Sequence, residues 1–127
     1  MEMREILFRG KRMCNGKMMF GLLMIFNGDD CYIVGDDFHH SHYRVHPETV
    51  GQFTGLTDKN GKKIFEGDIV RCIGLGLFGQ EMVGHIVYGD CCFSVKKRKS
   101  PSRPAMDLCN NFEVIGNIHD NPELLEG

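Results

Sequence analysis

His39, His40, His42 and His46 stand close behind Asp36 and Asp37, and no other stretch has residue types nearer to metal chemistry. Imidazole and carboxylate both suit zinc and other divalent ions, and His40 and His42 share a face wherever the chain is extended. Their spacing matches no ligand motif, however, and a histidine-rich polar segment is first of all a solvated loop. His39, His40 and His42 are therefore carried as metal candidates only, and nothing in the chain calls for a cofactor. Cysteine chemistry is no better specified. The six cysteines, Cys14, Cys31, Cys72, Cys91, Cys92 and Cys109, include no C-x-x-C pair, and neighbours such as Cys91 and Cys92 in a strand point to opposite faces. They read as free thiols in a reducing compartment, where a buried cysteine acts as a small hydrophobe.

General acid and base work needs two titratable groups at a defined separation in a cleft. The carboxylates here sit in turn sequences, at Asp29-Asp30, Asp36-Asp37, Asp58, Asp68 and Asp90, where a short acidic side chain bonds its own backbone. None of Ser41, Ser94, Ser100 and Ser102 lies in a nucleophile-elbow pattern, so no catalytic residue is assigned and the chain reads as a non-enzyme. Gly74, Gly76 and Gly79 miss the dinucleotide fingerprint, which sets its third glycine one position later and opens a helix. Between those glycines lie Leu75, Leu77 and Phe78, too apolar for an ordinary solvent loop, and they are the interface candidates of a homo-oligomer or of a complex with another macromolecule. Lys96, Lys97, Arg98, Lys99 and Arg103 form a basic, proline-punctuated loop. They are the nucleic-acid candidates, through salt-sensitive phosphate contact without sequence readout. The formal net charge of -2 supplies no global pull toward nucleic acid or an anionic membrane.

The elements that must position these residues are short strands. At 127 residues the chain is one domain in size, with possible subdomains at 1–48 and 49–127, and its 16 glycines call for many turns. Arg4 to Lys17 followed by the apolar run Met18 to Phe26 mimics a signal peptide, but Asn27-Gly28-Asp29-Asp30 stands where a cleavage site would be, and the run is far short of the ~20 residues that span a bilayer. The expected location is the cytoplasm, with no membrane contact. Asn15-Gly16 and Asn27-Gly28 predict hairpin turns that join three N-terminal strands, the last at Cys31 to Val34, with Phe38 to Pro47 as a loop. Asp58-Lys59-Asn60-Gly61 is a further turn, Glu66-Gly67-Asp68 launches Ile69 to Ile73, and Gly89-Asp90 joins Met82–Tyr88 to Cys91–Lys97. Phe112 to Ile118 is the last strand, and Asn121-Pro122 opens a terminal helical turn. The expected core is Ile6, Phe8, Leu22, Ile25, Ile33, Phe53, Ile64, Ile69, Ile86, Phe93, Val95, Phe112, Val114 and Ile118.

Three pieces carry a family resemblance: Arg4-Glu5-Ile6 with Phe8-Arg9, GQFTGLTDKNGKKIFEGDIV at Gly51 to Val70, and FEVIGNIHDNPELL at Phe112 to Leu125. They resemble the YopX family, small proteins of phages and prophages of Gram-positive bacteria. Gly10 to Cys14 departs from the family's aromatic, acidic opening. The resemblance implies a single mainly β domain over 1–127, with an N-terminal meander and a second half similar to an SH3-like barrel. It implies no activity and no catalytic residues.

Overall fold

Glycine and asparagine punctuation cuts the chain into short extended segments, and the computed structural model realises them as two antiparallel sheets. It describes residues 4–35, 41–74, 81–97, 104–106 and 109–125. Two compact units emerge, Met1–Gly55 and Leu56–Gly127. Among the described residues the only helical elements are short 3₁₀ turns, and none is long and apolar enough to cross a membrane.

The first unit contains β1 (Phe8–Lys11), β2 (Met18–Phe26), β3 (Asp30–Val34), β4 (His42–Val45) and the start of β5 (Gly51–Thr57), in the order β4-β3-β2-β1-β5. The expected three-strand meander thus has a fourth strand. His42–Val45, within the polar, histidine-rich segment expected as a loop, pairs with β3 from Val34↔His42 to Cys31↔Val45. Both hairpins form, the first through a longer connection from Arg12 to Lys17 in which only Gly16 takes positive φ, 69°. Asn27 and Gly28 both take positive φ, 52° and 80°, which matches the right-handed twist of the strands they join. The Pro47–Thr49 turn is fastened to β1 by the Thr49 Oγ1, which accepts from the Lys11 N–H at 2.8 Å and donates to the His46 carbonyl at 2.6 Å. Cys31, Ile33 and Val45 form the core here, with Phe8, Met19, Leu23 and Val50 packed on it.

In the second unit lie β6 (Lys63–Phe65), β7 (Asp68–Gly74), β8 (Glu81–Gly89), β9 (Cys92–Lys96) and β10 (Cys109–Asn117). Four of them pair in the order β10-β7-β8-β9. That order is open, and among the described residues no closed barrel is seen. Ile64, Val70, Cys72, Met82, Ile86, Val95, Met106, Cys109 and Phe112 make the core. Each fully buried valine or isoleucine in it stabilises the fold by about 1.5–3 kcal/mol relative to exposure.

Two turns organise this unit. Asp58 is buried, and its Oδ1 accepts the N–H groups of Asn60 and Lys62 at 2.9 Å while its Oδ2 accepts that of Val114 in β10 at 3.0 Å. Gly61 supplies the positive φ, 82°, that the turn requires. At Glu66-Gly67-Asp68, the Asp68 carboxylate accepts the Phe65 N–H at 2.8 Å. Gly67 donates to the Ile86 carbonyl and accepts from the Ile118 N–H, both at 2.9 Å.

Several expectations are corrected. Ile6, Leu22 and Ile25 are exposed, not core. Leu22 lies on the outward face of β2, and Ile25, though of inward parity and paired with the core residue Cys31, is itself 55% exposed. Cys91 is not a strand residue: Gly89 pairs with Cys92, so the turn is Asp90-Cys91, with φ of 51° and 65°. Cys109 opens β10, ahead of the expected start of the last strand at Phe112.

Candidate functional site

Every residue of β2 except Gly21 is a large apolar one. A strand has two faces, and only one can point into the small core of the first unit. Alternation sends Met19, Gly21, Leu23 and Ile25 toward Ile33 and Val45, and leaves Met18, Phe20, Leu22, Met24 and Phe26 outward. Registered partners extend this outward surface, since Leu22 pairs with Val34 and Met24 with Tyr32. Phe20 is 47%, Leu22 57% and Phe26 51% exposed, so large apolar groups lie open to water along the whole strand. The Phe26 and Tyr32 rings meet edge to face at 5.6 Å, which holds one end of the surface in place. At its rim Lys11 pairs across from Met18 and Asp30 across from Phe26, with Asp30 bridged to Arg44 at 2.9 Å. A contiguous apolar surface with a charged rim is the signature of an interaction site.

A cleft of about 420 Å³ opens in the second unit, lined by Lys59, Arg71, Cys72, Ile73, Glu81, Asn111 and Glu113. Its charges cancel in pairs. Lys59 Nζ lies 2.9 Å from Glu113 Oε2, Arg71 Nε 3.0 Å from Glu81 Oε1 and Arg71 Nη1 3.3 Å from Glu113 Oε1. The hydrogen bond from Lys59, then its charge and that of Arg71, hold the Glu113 carboxyl below its ordinary range despite some desolvation and the nearby Asp58. Burial pushes the Cys72 thiol up to about 12, helped by the neighbouring Cys109, so at neutral pH it is a protonated thiol and no nucleophile. The ionised carboxylate and the neutral thiol make the cleft a salt-bridged surface and not an acid–base pair.

The residues singled out from sequence are distributed as follows. His42 is exposed on β4, and His46 precedes the Pro47–Thr49 turn with its Nδ1 3.8 Å from Glu48. His39 and His40 lie outside the described residues, among which no group of three or more His, Cys, Asp or Glu comes together. Lys96 and Lys97 are exposed at the end of β9, whereas Arg98, Lys99 and Arg103 lie outside the described residues, as do Leu75, Leu77 and Phe78. None of the six cysteines is in a disulfide, and Cys31, Cys72 and Cys109 are buried. The β2 surface is the feature sequence reasoning missed. Its signal was present: nine consecutive positions with no polar side chain exceed what one buried face of an antiparallel strand needs.

The YopX protein family model matches residues 7–126. Among solved structures, the crystal structure of protein EF1440 from Enterococcus faecalis is similar to this chain, with a TM-score of 0.58 and 23% identity over 96% of this chain and 99% of that one. That likeness is one of fold. No curated protein matches.

Proposed function

The chain belongs to the YopX family, and from that membership we propose a phage or prophage accessory protein that acts by association, with itself or with a macromolecule of phage or host, and not by catalysis. Its place is the cytoplasm of the bacterial host. The observation that carries the reading is the outward face of β2, where Phe20, Leu22 and Phe26 stand about half exposed. Leaving that much apolar surface in water costs free energy that an interface would recover. An SH3-like arrangement of the second unit fits the same reading. Ser94 bridges Ala105 and the Val95 N–H reaches the Pro104 carbonyl at 3.0 Å, so the chain lies on the outer edge of β9 shortly before Cys109 pairs with Gly74 on β7. A chain passing from one edge strand to the other in this way is what closes such sheets.

Nucleic-acid binding is the second reading, favoured by the exposed Lys96 and Lys97 at the head of the basic loop. Native mass spectrometry of the protein purified gently from its expression host tests both. A defined oligomer, or a retained protein, supports association; retained nucleic acid supports the second reading. A bare monomer overturns both.

A further inference from the structure

We infer that the outward face of β2 closes on the same face of a second copy of this chain, the two β2 strands running antiparallel about a two-fold axis through Leu22. This rests on the association reading above and names its partner. The argument begins with the order of residues along the strand. Met18, Phe20, Leu22, Met24 and Phe26 are outward, and Leu22, the most exposed of the β2 residues, is the midpoint. Reversing the strand about Leu22 therefore sets Phe20 over Met24 and Met18 over Phe26 of the second copy, so that each rigid ring meets a flexible thioether. Methionine adapts to irregular gaps and makes favourable sulfur–ring contacts, which suits it to that position. A parallel pairing of the two strands would set ring on ring and thioether on thioether.

Charge selects the same orientation. Lys11 and Lys17 lie at the end of β2 that begins with Met18, and Asp29 at the end that finishes with Phe26, where Asp30 is already bridged to Arg44. Antiparallel strands bring the basic end of each copy to the acidic end of the other, whereas parallel strands would oppose like charges at both ends. A two-fold interface must be self-complementary in this sense. Sheets stacked face to face lie about 10 Å apart with strands within about 30° of each other, a spacing that interdigitated Phe, Leu and Met side chains fill.

Sedimentation velocity of the full chain over a concentration series is the test. The wild type is expected to sediment as a reversible dimer. Leu22→Glu faces two unpaired carboxylates across the axis and is expected to raise the dimer dissociation constant about 100-fold or more. Since Leu22 is 57% exposed, circular dichroism should show this variant folded. Lys17→Asp and Asp29→Lys should each weaken the dimer about tenfold, and combining them in one chain should restore it, because each reversed charge then meets the other. A wild-type monomer, a dimer unmoved by Leu22→Glu, or a double variant weaker than both singles overturns the inference. So does a monomer that binds phosphatidylcholine or phosphatidylglycerol vesicles. An oligomer that Leu22→Glu leaves intact sinks the two-fold while the broader association reading stands, and a bare monomer in the native spectrum removes that reading as well.

Discussion

Replacing Asp58 with Asn turns an acceptor of three backbone N–H groups into one that must present an amide donor to one of them. Leaving a buried N–H unmet costs about 2 kcal/mol, and urea unfolding of Asp58→Asn should show that loss. The same contacts set a pH dependence. Burial alone would raise the Asp58 carboxyl, but the N–H groups of Val114, Lys62 and Asn60 and the Lys62 charge outweigh it and hold it below its ordinary 3.8. The unfolded chain therefore takes up this proton first as pH falls. Asp58 contributes stability above about pH 4, which is lost as pH drops through the folded value, and Asp58→Asn should flatten that acid limb. His85 is lowered from 6.5, by burial and then by the charge of Lys96. Its neutral form belongs to the fold, so stability should begin to fall as pH drops below 6.5, and His85→Gln should remove that decline in melts taken at a series of pH values. Glycine positions are as strict. A Cβ at Gly84 would meet the Lys96 carbonyl at 2.7 Å and Val95 Cγ1 at 2.8 Å, so Gly84→Ala should cost about 1–3 kcal/mol in the same unfolding assay.

The β8–β9 hairpin turns on Asp90-Cys91 with both residues at positive φ, a conformation that costs a side-chain-bearing residue about 1–2 kcal/mol. Cys91→Gly makes Asp-Gly, the favoured pair for this turn, and should raise the melting temperature, the relief of strain exceeding glycine's added entropy in the unfolded chain. This element also shows where sequence reading stops. Glycine marks Gly89-Asp90 as the turn, but the register of the flanking strands moves it by one residue, and the cross-strand pairing that sets the register is not local. Asn27-Gly28, Asp58 to Gly61 and Glu66 to Asp68 were legible because their residues carry the conformation themselves. β4 was not, since His42-Tyr43-Arg44-Val45 is held by its pairing with β3 and has weak strand character of its own. The same limit hid the candidate site. An apolar run such as Met18–Phe26 reveals a strand, yet which of its faces is left outside depends on what β3 and β4 place beneath it.

Among the described residues the second unit holds nine buried core residues in one cluster and the first unit three. The amides of Ile33 and Val45 should therefore exchange with deuterium sooner than those of Val70 and Ile86, and the gap should narrow at protein concentrations where the β2 faces are covered. The Asp58 turn has a further meaning when the chain is made on a ribosome. Its carboxylate accepts from Val114, 56 residues downstream, and Lys59 donates to Phe112. At about 5–20 residues per second, roughly 3 to 11 seconds separate the synthesis of donor and acceptor. During that interval β6, β7 and β8 emerge without the strand that fastens them. Nascent chains are then exposed to one another on a polysome, and β2, whose outward face recognises its own copy, has already been synthesised together with β1, β3 and β4. Pairing of two copies can thus begin while both are still being translated.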